Sequence, residues 1–488
     1  MLATAGAVLA VGAMWGDSGA DGRGLAGAGA AGAGGVAARG GQVSVVLPSV
    51  GSSAADSAGS RQSAGGGRGA AAPAEVSTVA RSVSYLGHVF TVPAGWHLVD
   101  LAADTGRCVR FDVHAVYFGS PSNAQRCTAH GGAVRSAMLV APSSVATKAS
   151  AVDDAVNQRI TATLRGVQIT ASYSYGTDRS SAVAVLSADG VPAPTVSGAS
   201  GASEGTGAVA QRVAANLAPV QGRVSPSGIA VMTQAYKGLG FDACTAPSGA
   251  QMSAWGKSPF GAVGVYIGGA ERACTQPNLT ASWVSAESSA GWRMLPLYVG
   301  PQISYGDVTN AAAAQGKASA DDAAIQASSL GIGQSAVLYY DMEGGDYTSA
   351  QTAAAQTFLA AWTAELHALH YRSAVYGNES GAVGALVSGW GTIAEPDVID
   401  VANWNGTADD DPGADPADHW GGHRVHQFQG GTNATYGAVT INIDQDFFGL
   451  AAPCGPALAT GSGIVPRYMT GCSASPAPAP VSTPSPAR

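Results

Sequence analysis

Two carboxylates close a short apolar run in the C-terminal half of the chain. The run Ala336–Tyr340 leads directly into Asp341, and Glu343 follows two residues later, just before Gly344-Gly345. Side chains alternate between the two faces of a strand, so both acids share one face, with backbones about 7 Å apart. Two acids at that separation can flank one scissile bond. The competing interpretation is a pair of solvated acids where a strand meets a loop.

The elements that must position these acids alternate between strand and helix from Lys237 to Leu450. Amphipathic helical stretches are clearest at Ala312–Leu330 and Ser349–His370. Eight strands with helical crossovers predict an α/β fold, a (β/α)8 TIM-type barrel over residues 237–450. An open doubly wound sheet is the alternative, but no GxGxxG motif follows the first strand. The candidate strands are Gly238–Asp242, Ala262–Ile267, Arg293–Val299, Ala336–Asp341, Arg372–Tyr376, Val398–Trp404, Arg424–Phe428 and Ile441–Phe447.

Further acids fall at the ends of these strands. Asp242 ends the first strand, and Asp444 and Asp446 lie in the eighth. Because strands one and eight are neighbours in a closed barrel, Asp242 and Asp444 should face Asp341 and Glu343 across one mouth. Like charges raise one another's pKa, so such a cluster can hold one acid protonated as a proton donor while its partner stays ionised.

Composition divides the rest of the chain. Residues 1–80 begin with a signal-like apolar stretch, Leu2–Trp15, which lacks a positive n-region. The rest of this segment is a Gly/Ala-rich stalk that we expect to be disordered. Short β-like runs predict a small, mostly antiparallel β domain at 81–188. Residues 189–236 have a linker composition, and 451–488 form a Pro-rich tail.

The six cysteines form three neighbouring pairs. No CxxC motif is present, which makes a structural zinc site unexpected. Three local disulfides are predicted, and with them export to an oxidising compartment; reduced cysteines in a cytosolic protein are the alternative. The pairs are Cys108 with Cys127, Cys244 with Cys274, and Cys454 with Cys472.

Charge and the histidines limit the choice of partners. A net charge of −9 and a pI near 5.4 argue against nucleic acid or an anionic membrane as the main partner. Ligation of a metal by His419, His423 and His426 would need a helix, which Gly421-Gly422 disfavours. We therefore expect no metal and no cofactor, and a monomer by default.

Residues 237–450 resemble the glycoside-hydrolase-like domain of unknown function found in secreted actinobacterial proteins. That family in turn resembles the lysozyme-type barrels of glycoside hydrolase family 25. The resemblance is carried by Gly240-Phe241-Asp242, Tyr266-Ile267-Gly268-Gly269, Ala320–Gly331, Tyr339–Glu343, His426-Gln427-Phe428 and Ile443-Asp444.

The resemblance implies roles for four acids. Glu343 matches the general acid of the Asp-x-Glu motif, and Asp341 matches the carboxylate that activates water or stabilises the oxocarbenium-like species. Asp242 and Asp444 match flanking carboxylates that hold substrate or water. Gln427 matches the central residue of the Trp-Gln-Tyr strand of the lysozyme-type barrels, whose aromatic residues are replaced here by His426 and Phe428.

Further residues near strand ends are candidates for binding sugar. Aromatic rings stack on sugars, but each ring here has core packing as its alternative interpretation. Trp404 is the strongest candidate, because Asn403 and Asn405 beside it indicate a strand end. The predicted substrate-binding set is Trp404, Gln427, Tyr298, Tyr339 and Asn378.

Two function classes follow from these observations. The first is an exported, lysozyme-like glycoside hydrolase that acts on cell-wall polysaccharide or peptidoglycan, secreted or associated with the cell envelope. The second is a non-catalytic barrel that binds glycan or organises the envelope and retains a vestigial acid site. The four acids favour catalysis, and the altered aromatic residues around Gln427 favour binding.

Overall fold

The computed structural model describes residues 44–46, 76–144, 148–174, 178–197 and 235–451. Most of the predicted stalk, most of the linker and nearly all of the tail lie outside the described residues, as does the predicted Cys454–Cys472 pair. The described residues after 40 belong to one compact unit. No helix among them is long and apolar enough to cross a membrane.

The N-terminal part of this unit, residues 76–197, is here called the β-rich region. It contains most of a three-stranded sheet (order β1-β2-β3), all of a seven-stranded sheet (order β10-β7-β8-β9-β6-β5-β4) and one helix. Its elements are β1 Ser44–Val46 (which lies before the region), β2 Arg81–Tyr85, β3 His88–Val92, β4 His97–Asp100, β5 Ala115–Phe118, β6 Ala137–Pro142, β7 Ser150–Asp154, β8 Arg159–Leu164, β9 Val167–Ser172, α1 Asp178–Ala188 and β10 Thr195–Ser197.

The large sheet differs from the mostly antiparallel arrangement that the sequence predicts. Strands β4, β5 and β6 are mutually parallel, and β10 pairs parallel to β7. Parallel neighbours need long return connections, and residues 101–114 and 119–136 supply them without a helix. These two loops carry Cys108, Cys127 and His130, and both reach the C-terminal barrel.

The C-terminal part, residues 235–451, is a closed eight-stranded barrel, ordered β11 to β18, with five helices outside it. Strand β14 is buried at every position, as expected of a parallel strand covered on both faces. The barrel elements are β11 Tyr236–Asp242, α2 Gly249–Trp255, β12 Phe260–Gly268, α3 Ala281–Ser289, β13 Arg293–Tyr298, α4 Ala312–Ser329, β14 Val337–Asp341, α5 Ser349–Ala368, β15 Arg372–Gly377, α6 Ala382–Gly389, β16 Val398–Ala402, β17 His423–Tyr436 and β18 Val439–Leu450.

The predicted (β/α)8 TIM-type barrel is wrong. Strands β11 to β17 are parallel, but β18 runs antiparallel to both of its neighbours, and no helix follows β16 or β17. The reason lies at Gly437-Ala438, which both adopt positive φ, 57° and 63°, as a tight hairpin turn requires. Residues 429–440, expected to form a crossover, instead extend the two strands into a hairpin.

Two apolar layers hold the barrel together. Helix α5 begins with a capping box between Thr348 and Gln351, and it buries Phe358 and Trp362 against the outside of the barrel. Inside, strand residues such as Leu297, Tyr339 and Phe448 fill the lower part. The apolar filling at the bottom leaves the polar strand ends together at the opposite end, which we call the mouth.

Two of the three predicted disulfides are present among the described residues, Cys108–Cys127 and Cys244–Cys274. The second joins the loops after β11 and β12 and closes a sequence separation of 30 residues. A disulfide that closes a loop of this length restricts the unfolded chain. In the chain-entropy model its removal lowers the free energy of unfolding by about 3–4 kcal/mol.

We therefore expect the double variant Cys244→Ser, Cys274→Ser to lose about 3 kcal/mol of unfolding free energy. Denaturant unfolding of the purified protein measures this, and the variant Ser289→Cys, which adds a thiol and removes only an exposed hydrogen bond to the Ser285 carbonyl, is the control. An unchanged denaturation midpoint in the double variant would show that the disulfide does not stabilise the fold.

Candidate functional site

Four carboxyl groups meet at the barrel mouth: Asp242, Asp341, Glu343 and Asp444, together called the carboxylate layer. Asp242 and Asp341 are the last residues of β11 and β14, and Glu343 follows two residues after Asp341. Asp444 lies directly opposite Asp242 in the β11–β18 pairing. Because β18 runs downward from the mouth, its early residues reach this layer, and Asp446 lies one layer deeper.

Asp242 is buried and bound on both oxygens. Its Oδ1 accepts a hydrogen bond from the Tyr266 hydroxyl at 2.9 Å, and its Oδ2 accepts one from Gln427 Nε2 at 3.0 Å. The Gln427 carbonyl oxygen in turn accepts from the Tyr376 hydroxyl and from the Trp404 indole, each at 2.9 Å. The Gln427 amide therefore connects the Asp242 carboxyl to the Trp404 ring.

Asp444 is also bound on both oxygens. The backbone N–H of Gly431, in the β17–β18 hairpin, donates to Oδ1 at 2.6 Å. On the other side, His130 Nδ1 lies 2.8 Å from Oδ2. His130 comes from the β-rich region, so two distant parts of the chain meet at this carboxylate.

The Asp341–Glu343 pair is positioned by Gln302, in the loop after β13. The Gln302 amide donates to the Asp341 carbonyl oxygen at 2.7 Å and accepts from the Glu343 backbone N–H at 2.7 Å. The Glu343 carboxylate accepts a hydrogen bond from the Tyr305 hydroxyl at 3.2 Å. Asp341 is 2% exposed, and its Oδ1 has no hydrogen-bond partner.

Burial and neighbouring charge set the proton affinities of the layer. Burial raises the pKa of Asp341 well above its ordinary value, and the charges of Glu343 and Asp242 raise it further. Burial also raises the pKa of Glu343, although the Tyr305 hydrogen bond and the charge of His130 oppose the increase. For Asp242, burial and the charge of Asp444 raise the pKa well above its ordinary value. Asp341, Glu343 and Asp242 thus retain protons at pH values where isolated carboxyls would have lost them.

Two further acids lie below the layer. Asp400 in β16 is 2% exposed and Asp446 in β18 is 1% exposed, and neither Asp446 oxygen has a hydrogen-bond partner. Burial raises the pKa of Asp400 to about 8 and that of Asp446 well above its ordinary value. Unpartnered buried carboxyls destabilise a fold, so their presence points to a functional region.

Two spaces open onto the pair. A cleft of about 530 Å³ is bordered by Glu343, Asn378, Trp404 and His130. A second cavity of about 20 Å³, bordered by Asp341, Glu343 and Tyr266, has room for about one water molecule. Glu343 borders both spaces, so this residue lies between the large cleft and the small cavity.

The predicted sugar-binding residues separate into two groups. Trp404, 57% exposed, and Asn378 line the cleft, while Gln427 is buried beneath it. Tyr298 instead lies in the helix layer, with its hydroxyl on Asp322 and its ring against Trp362. Tyr339 is buried in the apolar filling of the barrel. The structure therefore does not bring Tyr298 and Tyr339 to the mouth, because their side chains point to the helix layer and the barrel interior.

Sequence reasoning missed four contributors to the site: Gln302, Tyr305, Tyr266 and His130. Tyr266 belongs to a segment that carries the family resemblance, and Gln302 and Tyr305 follow a predicted strand, so their position was a usable signal. Nothing local distinguishes His130. Its neighbour Ala129 binds Asn442, a residue 313 positions away.

Two of the three histidines weighed as metal ligands, His419 and His426, have separate partners. His419 pairs with Asp415 and stacks on Trp390, while the His426 ring lies between the carbonyl oxygens of Asp409 and Asn403. Across the described ranges, the one grouping of possible metal ligands is Cys108, Cys127 and Cys274, all of which are in disulfides.

Comparison with known proteins gives a family for most of the barrel. Residues 253–448 match the model of the Rv2525c-like, glycoside hydrolase-like domain. This match confirms the resemblance to the glycoside-hydrolase-like family, whereas a relation to glycoside hydrolase family 25 stays a prediction. No curated protein matches the chain.

Two crystal structures are similar to part of the chain. One is an uncharacterized B. stearothermophilus protein, at 18% identity over 44% of this chain and 95% of that one, with a TM-score of 0.32. The other is the Mycobacterium tuberculosis Tat-secreted protein Rv2525c in complex with L-tartrate, at 15% identity over 43% and 95%, with a TM-score of 0.33. The family model thus shows that residues 253–448 are similar to the Rv2525c-like, glycoside hydrolase-like domain.

Proposed function

We propose that this protein is an exported glycoside hydrolase that acts on cell-wall glycan. The observation that carries the proposal is the Asp341–Glu343 pair, in which Glu343 borders an open cleft and a water-sized cavity at once. The family of the barrel domain is described as glycoside hydrolase-like, and two disulfides support an oxidising compartment.

Glu343 acts as the general acid in this proposal. A general acid must be protonated near the working pH, and burial raises the pKa of Glu343 in that direction. Glu343 lines the cleft, so a glycosidic bond bound there would lie next to this residue. Asp341 serves as the partner carboxyl that acts on a water molecule in the small cavity or stabilises the positive charge that develops on the sugar.

The test is release of reducing ends from purified peptidoglycan and from chitin-type oligosaccharides by the full chain. The test variant is Glu343→Gln. A Glu379→Gln variant is its matched control, since Glu379 is an exposed acid that lines the same cleft. Release from either substrate, equal in the wild type and the control, supports the proposal. No release from either substrate, with saturable binding still present, would favour the second candidate.

The second candidate is a non-catalytic barrel that binds glycan. The hydrogen bonds of Asp242 favour this candidate, because Tyr266 and Gln427 occupy both of its carboxyl oxygens, which are then not free for substrate. In the same way His130 and Gly431 occupy Asp444. In this candidate the exposed Trp404 would supply the binding surface.

In either case Trp404→Ala should weaken glycan binding about two- to tenfold, because we assign to the ring–sugar contact the ~0.5–1.5 kcal/mol that is typical of aromatic ring pairs. For an active enzyme we expect KM to rise more than kcat falls, since Trp404 offers a binding surface and no group that can transfer a proton. Isothermal titration with oligosaccharide measures the effect. Unchanged affinity would place the sugar elsewhere in the cleft.

A further inference from the structure

A histidine from the β-rich region lies in the barrel mouth. His130 belongs to the loop between β5 and β6, yet its Nδ1 is 2.8 Å from Asp444 Oδ2. Its ring stacks on Trp404, with centroids 5.2 Å apart and an interplanar angle of 28°. The side chain is 39% exposed and borders the same cleft as Glu343.

Contacts on both sides of His130 hold the loop against the barrel. The Ala129 N–H donates to Asn442 Oδ1 at 2.7 Å, and the Val134 N–H donates to Glu271 Oε2 at 2.7 Å. Between them, a Cβ on Gly131 would lie only 2.2 Å from Ala273 Cβ, so glycine permits this close approach. These contacts with the barrel therefore fix the position of the loop and, with it, the position of the imidazole.

Asp444 depends on this loop for one of its two partners. The carboxyl is 1% exposed, and its contacts are the Gly431 N–H on Oδ1 and His130 on Oδ2. A buried carboxylate that loses its charged partner is left with an unpaired oxygen, which is costly. The imidazole thus completes the environment of an acid in the carboxylate layer.

We propose that His130 is a positioning residue of the carboxylate site, so that the site is complete only when the β-rich region is docked on the barrel. His130 orients Asp444 through the contact between Nδ1 and Oδ2, and its ring packs against the Trp404 ring. Its positive charge also acts on the acids around it. The matched family segment, 253–448, does not contain this residue.

The groups that face His130 set the sign of its effect. They are Asp444 from β18, Asp242 from β11 and Glu343 after β14, with the uncharged Trp404 against the ring. The hydrogen bond to Asp444 raises the pKa of His130, although burial opposes it, and the charges of all three acids raise it further. In return the imidazolium lowers the pKa of Glu343 and of Asp242.

The first test follows the His130 ring by NMR during a pH titration of the full chain, and it needs no hydrolytic activity. His130 should titrate above the ordinary value of about 6.5, and Asp444→Asn should move its pKa back toward that value. His88→Gln, which removes a histidine of the β-rich region bound to the Arg165 carbonyl, should leave the His130 titration unchanged. A His130 pKa near the ordinary value that Asp444→Asn does not move would overturn the proposal, whatever substrates the protein cleaves.

The second test rests on the proposed function and compares pH–rate profiles of wild type and His130→Gln. Removal of the positive charge raises the pKa of Glu343, so the alkaline limb of the profile should move to higher pH. His88→Gln should leave the limb in place. A uniform loss of rate without a shift would assign His130 a merely structural role and contradict the proposal. If the wild type releases no reducing ends, the proposed function fails, and the NMR titration alone decides the role of His130.

Discussion

Glu343→Gln is expected to reduce glycan hydrolysis about 10²–10⁴-fold, the contribution typical of a positioned general acid. Glutamine keeps the shape of the side chain and a hydrogen bond with Tyr305, but it cannot donate a proton to the leaving oxygen. Substrate should still bind, because Trp404 and Asn378 remain in the cleft. The measurement is kcat and KM for reducing-end release.

The unfolding temperature shows whether a loss of activity in Glu343→Gln comes from a loss of stability. Burial raises the pKa of Glu343, so a neutral glutamine should leave the unfolding temperature equal or slightly higher. Glu379→Gln, the same change at an exposed position of the cleft, should keep full activity. Wild-type activity in Glu343→Gln would assign the proton transfer to another acid, with Asp341 as the next variant.

Asp400→Asn is expected to stabilise the fold by about 4 kcal/mol at pH 7. Burial raises the pKa of Asp400 to about 8, so the folded state keeps a proton that the unfolded chain releases above about 3.9. A difference of about three pH units, at 1.36 kcal/mol each, corresponds to that free energy. Asparagine has nearly the same shape and no proton to lose.

The sign follows from proton uptake. Because the folded-state pKa is raised, the stability contribution of Asp400 is fully present below pH 4 and is lost as pH rises toward 8. The gain from Asp400→Asn should therefore vanish at pH 4 and grow up to pH 8. Urea unfolding at pH 4, 6 and 8 measures it, with Glu379→Gln as the exposed control. A gain that does not depend on pH would show that Asp400 does not hold a proton in the fold.

Local pattern was enough to find the strands and the main acids. The apolar run before Asp341 and the alternation around Asp242 depend only on neighbouring residues, so the sequence predicts both strand ends correctly. That the strands carrying Asp242 and Asp444 are neighbours was also predictable, since barrel closure brings the first and last strands together whichever way the last one runs.

The direction of β18 was not predictable from the same pattern. Alternating residues in 429–440 fit a strand extension as well as a connection, and only the turn at Gly437-Ala438 decides between them. That reversal places Asp444 in the carboxylate layer and Asp446 beneath it. The orientation of Tyr298 depends likewise on which face of β13 the helices cover.

By itself, the sequence determined the alternation of strands and helices and the carboxylates at the strand ends, because both are written in residues close together along the chain. Only the tertiary structure decided that His130 joins Asp444 and Trp404. That contact links loops of two regions whose approach depends on the packing of the whole molecule, and no periodicity in either segment records it.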